Sequence, residues 1–158
     1  MTDARFEDGR EAPLNLGAED GDDLRVISTL TQDAVFPVTE MTWHPSQRRF
    51  GLLLNRFRWE DKDAAAGRGR AFERVQSILV FHSVLSVASQ GIDRSDKDMV
   101  MSLLSVDFDP GEDSAGQIIL TLAGDGAIRL TVEAIDATLK DVTRPYQAPS
   151  GQVPHHPE

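Results

Sequence analysis

The sequence predicts an α+β fold dominated by an antiparallel, strongly twisted sheet. Three observations carry the prediction. Apolar residues recur at every second position through most of the stretch from Val35 to Val132, the period of a strand with one buried face. Helical spacing is convincing in one place, Leu24, Ile27 and Leu30. Turn-forming clusters divide the alternating stretches: His44-Pro45-Ser46-Gln47, Asp109-Pro110-Gly111 and Gly124-Asp125-Gly126. The expected architecture has about six to eight strands, partly closed like a barrel or split into two packed sheets, with a short N-terminal helix over one opening or edge. The alternative is a pleckstrin-homology-like barrel, for whose C-terminal helix Asp136 to Asp141 could supply one turn at most.

The elements follow in order. Residues 1–12 are polar and charged with one aromatic, Phe6, and are expected to be a disordered N-terminus. Leu14 and Leu16 alternate as in a short strand. Asp20 or Asp22 can cap a helix over Asp22 to Thr31, because a carboxylate there accepts from free N–H groups and favours the positive end of the dipole. Val35 to Val38 reads as a strand whose Pro37 suggests an edge or a strand end. Met41 and Trp43 alternate in another. Phe50 to Trp59 reads as a long strand with Phe50, Leu52 and Leu54 on one face and Leu53, Phe57 and Trp59 on the other.

Glu60 to Arg70 reads as a loop. Phe72 to Ser89 fits a helix by spacing, but the β-branched and aromatic content of Ile78 to Val87 favours a strand with a bulge near Ser83. Met99 to Phe108 reads as a strand with Val100, Leu104, Val106 and Phe108 on one face. Gln117 to Val132 reads as a hairpin. A two-residue loop, Gly124-Asp125, would pair Leu122 with Ala127. A three-residue loop, Gly124-Asp125-Gly126, pairs Leu122 with Ile128, Leu120 with Leu130 and Ile118 with Val132, keeping every large aliphatic on one face, and is preferred. The strand can continue after a bulge through Ile135, Ala137 and Leu139. Residues 145–158 hold four prolines and are expected to be a disordered tail. Residues 13–144 then form a single domain.

Composition narrows the function classes. The 158 residues contain no cysteine, which removes disulfides, thiolate zinc sites and a cysteine nucleophile and fits a reducing compartment. No run approaches the ~18 apolar residues of a membrane span, and residues 1–23 lack the apolar stretch of a secretory signal. The expected location is cytoplasmic, without membrane partners. The net charge is −10, and phosphate would repel such a chain, so nucleic acid is not an expected partner. The charge is uneven, because residues 47–74 hold eight basic and four acidic side chains.

The run from Asp23-Leu24 through Leu30-Thr31-Gln32-Asp33-Ala34-Val35 resembles a family of bacterial proteins known as domain of unknown function 2948. So does Arg49-Phe50 followed by Leu52-Leu53-Leu54-Asn55-Arg56-Phe57-Arg58-Trp59-Glu60. Two shorter stretches share the resemblance: Gln90-Gly91-Ile92-Asp93, and Gly126-Ala127-Ile128-Arg129-Leu130 leading to Glu133. It covers roughly residues 14–141 and implies a single domain. It implies no activity, cofactor or catalytic residue.

Sites of chemistry are sparse. His155 and His156 lie together in the tail, where they read as solvated side chains rather than a metal site. His82 lies in an apolar strand and reads as a hydrogen-bonded, half-buried residue. Asp93, Asp96 and Asp98 cluster in a turn, but Arg94 and Lys97 interrupt them and a calcium loop's pattern is missing. Gly124-Asp125-Gly126 and Gly67-Arg68-Gly69-Arg70 lack the features of phosphate loops, and no serine sits in a nucleophile elbow. No metal and no cofactor is expected.

The basic segment is the strongest candidate. Arg48, Arg49, Arg56 and Arg58 lie with Phe50, Phe57 and Trp59 on one strand, and arginine with aromatics is the composition interface hot spots favour. These arginines are the candidate interaction surface, for a protein partner or self-association. The plainer alternative keeps Arg56 and Arg58 on the solvent side of an amphipathic strand while Phe57 and Trp59 enter the core. The expected function is a non-enzymatic protein-interaction module; the alternative is a small-molecule binder or enzyme whose site is assembled from separated loops.

Overall fold

The computed structural model describes residues 13–61, 73–144 and 146–147. Eleven strands and one α-helix occur among them. The strands are β1 (Asn15–Ala18), β2 (Val35–Pro37), β3 (Met41–His44), β4 (Arg49–Phe57), β5 (Glu73–Phe81) and β6 (Val84–Gln90). They continue with β7 (Val100–Pro110), β8 (Gly116–Leu122), β9 (Ala127–Val132), β10 (Ala137–Asp141) and β11 (Tyr146–Gln147). All ladders are antiparallel, and the order is β1-β10-β5-β4-β2-β7-β8-β9-β6, with β11 added to β5 and β3 to β4. The fold is sheet-rich α+β. The path of paired strands has two ends, β1 and β6, so the sheet is not closed. Asp136 to Asp141 supplies strand β10 rather than a helical turn.

The helix, α1 (Gly21–Leu30), forms where its capping chemistry places it. Asp20 is extended, and its Oδ1 accepts from the Asp23 N–H at 2.8 Å. Asp22 and Asp23 occupy the positive end of the dipole. Leu24 and Ile27 are buried against the sheet. Ser28 joins helix to sheet, since its Oγ accepts from the Val106 N–H at 2.8 Å. That N–H lies just past a bulge in the β7–β8 ladder, between Leu103 and Ser105. The bulge also corrects the expected face of β7: Met101 and Leu103 are buried before it, Val106 after it, and Val100 is exposed.

The stretch expected as one bulged strand is two, β5 and β6, meeting at a corner where Ser83 takes a left-handed φ of 59°, and Phe72 lies outside the described residues. Pro37 is the last residue of an interior strand, with β4 on one side and β7 on the other. The β8–β9 hairpin keeps Ile118, Leu120, Leu122, Ile128, Leu130 and Val132 on one face, as preferred, but its register is shifted by two residues. Leu120 faces Ile128, Ile118 faces Leu130, and the Leu122 N–H donates to the Gly126 carbonyl. The loop is Ala123–Asp125, with left-handed Gly124 and Asp125. The close approach of this loop to the end of β6 constrains Gly91, which is also left-handed at φ 73°. A Cβ on Gly91, at the end of β6, would lie 2.9 Å from the Gly126 Cα.

One hydrophobic cluster draws from α1 and from every strand between β1 and β10 except β3, among them Phe36, Phe50, Phe81, Leu103, Ile118, Leu130 and Leu139. Of the expected tail, Tyr146 and Gln147 pair with Arg74 and Glu73. Its remainder and residues 1–12 lie outside the described residues.

Candidate functional site

The four arginines of the basic segment separate into two environments. Along β4 Phe50, Leu52, Leu54 and Arg56 are buried on one face, and Phe57 is buried on the other. Arg56 therefore points into the protein and is 0 % exposed; Arg58 is 3 % exposed. This corrects both expectations for the pair, since neither side chain lies on the solvent face or can form part of an exposed surface. Phe57 lies on the opposite face, outside the main cluster. There Arg74 stacks 4.0 Å above its ring, and Trp59 stands 5.7 Å away. Trp59 is half-buried, and its Nε1–H donates to the Gln32 carbonyl at 2.8 Å.

Arg56 can be buried because β5 and β10 each place a polar group inward within its reach. Ser77 of β5 faces Leu54 of β4 and Asp141 of β10. The small serine leaves space for the guanidinium to reach across β5. Nη2 donates to Asp141 Oδ1 at 2.9 Å and Oδ2 at 3.1 Å, and Nε to Ser77 Oγ at 3.0 Å. Ser77 Oγ donates in turn to Asp141 Oδ1 at 2.6 Å. Glu60 accepts from Nη1 at 2.9 Å and Nη2 at 3.0 Å, and the Phe57 carbonyl accepts from Nη1 at 3.1 Å. All five guanidinium donors are used.

Arg58 extends the cluster, with Nη1 on Glu73 Oε1 at 2.6 Å and Nε 3.8 Å from Glu60 Oε2. Asp141 also ties down β1, accepting from the Leu14 N–H at 2.9 Å and donating its own N–H to the Leu14 carbonyl at 2.9 Å. Burial opposes the Arg56 charge, yet Glu60 and Asp141 outweigh it by hydrogen bonding and Coulomb attraction, so its pKa is raised. Fully paired in this way, the cluster has no spare donor on Arg56 for a substrate. It fastens β1, β4, β5 and β10 together.

Arg48 and Arg49 stay at the surface. Arg48, left-handed at φ 53°, ends the 3-10 turn Pro45–Gln47. Its side chain pairs with Glu133 at 2.8 Å, both more than half exposed. Arg49 donates to the Gln47 side chain. With His44 and Glu40 it borders a shallow depression of 220 Å³ floored by Leu53, Ile78 and Val80.

A second surface feature was not read from the sequence. Strand β6 pairs with β9 alone, and along its other edge no ladder forms among the described residues. Only its first N–H, that of Val84, is taken there, by the Arg48 carbonyl at 2.9 Å. From Leu85 to Gln90 the edge is open, with Leu85 48 % exposed. Strand β3 is likewise paired on one side only, with β4. The Pro45–Gln47 turn after β3 packs against β6. The polar turn after β6 meets β3 in a cleft of 380 Å³ lined by Val38, Thr39, Met41, Trp43, Arg94 and Lys97.

The two strands thus flank one seam in the sheet. Trp43 and Met41 face Phe50 and Leu52 across the ladder, and Val87 faces Leu130, so all three point toward the core. All three are only partly buried while packed against it. The sequence signal was available: Val84 to Gln90 contains no charge and no proline, the residues that usually blunt an exposed edge.

The remaining candidates are local structure. Asp93 Oδ1 accepts from the Ser95 N–H at 3.0 Å and the Ser95 hydroxyl at 2.5 Å, which holds its pKa below the usual carboxylate value. Asp96 Oδ1 accepts from the Asp98 N–H at 3.1 Å. His82 is half-buried, and its backbone N–H donates to the Asp136 carbonyl. No group of three His, Asp or Glu side chains that could hold a metal occurs among the described residues, and no helix there is long and apolar enough to cross a membrane. His155, His156 and the Gly67–Arg70 stretch lie outside them.

No curated protein and no solved structure matches the chain. A family model does, over residues 14–156, taking in the arginine cluster, the seam and most of the proline-rich segment, and the chain belongs to that family, DUF2948, described as proteins of unknown function.

Proposed function

We propose that the protein is a non-enzymatic, cytoplasmic protein-interaction module that binds a partner's extended segment along the free edge of β6. The observation that carries this reading is the edge itself. Seven residues, Val84 to Gln90, form a strand without charge or proline, with an unpaired side along most of its length among the described residues. Exposed backbone N–H and C=O groups in that arrangement are a template for one more strand. The other chain-terminal edge is protected differently, since β1 has four residues and α1 packs on it. Arg48 and Arg49 keep a part in this reading, because Arg48 closes one end of the open edge.

The test places a photo-crosslinking amino acid at Leu85, and separately at Lys140 on β10, in the producing cells. The reading expects a discrete set of adducts from position 85 that is absent from position 140. The double variant Leu85→Lys/Ala88→Lys, crosslinked through Ser86, should lose them. The monomer's unfolding midpoint should stay within about 0.5 kcal/mol, as for exposed substitutions. Equal adducts from both positions, or adducts that survive the two lysines, would remove the edge as the binding site. A homodimer adduct identifies a second copy as the partner, and concentration-dependent sedimentation then measures it.

A further inference from the structure

We infer that the segment received at the β6 edge is acidic, placing a carboxylate between Arg94 and Lys97 and an apolar side chain against Trp43 and Met41. This rests on the β6 reading and adds to it the chemistry of the partner. The cleft at the end of the seam joins two apolar side chains that point toward the core to two cations. The apolar part is unfinished, because Trp43, Met41, Val87 and Ile92 pack against the core while keeping solvent exposure. The cations are unfinished as well. Arg94 and Lys97 have no ion pair or side-chain hydrogen bond among the described residues, although their turn holds three aspartates.

Those aspartates are partly committed elsewhere. Asp93 accepts twice from Ser95 and Asp96 from the Asp98 N–H, so two of the three carboxylates are drawn into the turn. Arg94 and Lys97 line the cleft. Two cations unpaired among the described residues, beside partly exposed apolar side chains, are complementary to an acidic, partly apolar strand. The turn that carries both cations directly follows β6 in the chain, and the cleft it lines is shared with β3.

The experiment selects binders to the full-length chain from a displayed library of random heptapeptides, then titrates synthetic copies of the enriched sequences. The expected result is enrichment of Asp or Glu beside an aromatic or large aliphatic residue. Replacing that acid by its amide should weaken binding about tenfold, the weight of one charge-assisted hydrogen bond. Arg94→Glu/Lys97→Glu should weaken it at least as much, while Lys140→Glu, exposed on β10, leaves it unchanged. Affinity should also fall with added salt. Peptides that bind, depend on the Leu85→Lys/Ala88→Lys edge, and yet show no preference for acid and no response to Arg94→Glu/Lys97→Glu would overturn the acidic partner and leave the edge reading standing. Enrichment of nothing that depends on β6 would remove both.

Discussion

Strand β4 begins and ends with arginines, and the two pairs live under opposite rules. Arg48 and Arg49 stand in solvent, where an ion pair such as Arg48 with Glu133 is weak because water screens it. Arg56, eight residues beyond Arg48 and of the same parity, is sealed from water, where an unpaired charge would be intolerable and each of its donors is met. Residue type therefore says little about the role of an arginine here. Its height along the strand decides. At one end the inward face lies beside a turn, and at the other it lies under β5, β10 and the Trp59–Asp61 turn.

The sharpest way to break the comparison is to remove one partner at each end. Arg56→Ala leaves the buried Asp141 without its cation and takes from Glu60 the nearer of its two, and a loss of about 3–5 kcal/mol is expected by denaturant melt. A loss below about 1 kcal/mol, the range of exposed pairs, would mean that water already reaches the cluster. Trp59→Ala comes next. Its ring is half-buried and gives up the hydrogen bond to Gln32, so about 1–3 kcal/mol is expected, less than for a fully buried aromatic.

Arg48→Ala should cost under about 1 kcal/mol, and that cost should shrink further at high salt. A comparable loss at Arg48 and Arg56 would erase the distinction between the two ends.

The smallest effect concerns pH. The folded-state pKa of Asp93 is depressed by Ser95, so its contribution is present above the unfolded carboxylate pKa and is lost as pH falls through the folded one. Carboxylate NMR titration should place Asp93 below the ordinary value, and Ser95→Ala should return it toward that value with little change in melting temperature.

Much of the buried cluster was legible in retrospect. Phe50, Leu52 and Leu54 fix the inward parity of β4, and Arg56 follows it. Ser77 follows Leu79 and Phe81, and Asp141 follows Ala137 and Leu139. Three strands each carry a polar residue at an inward position, which is a signal of a polar network. Treating arginine as outward by type concealed it. The expected faces of β7 failed for another reason: a bulge at Leu103 to Ser105 shifts the parity, and the Val106 N–H just past it is met by Ser28, 78 residues away along the chain.

By itself the sequence determined what depends on near neighbours. Alternation gave the strands, Asp20 gave the start of the helix, the Gly-rich stretch gave the hairpin turn, and composition gave an acidic, cysteine-free domain. The tertiary structure decided what depends on residues far apart. It joined Arg56 to Asp141 across 85 positions, shifted the hairpin so that Gly126 lies under Gly91, and left β6 and β3 each paired along one side only among the described residues. The physical reason is range. Backbone preference and amphipathic period act within a turn or a strand. Whether an inward charge is satisfied, or an edge is covered, depends on which strand arrives beside it, and that is settled only when the whole sheet has formed.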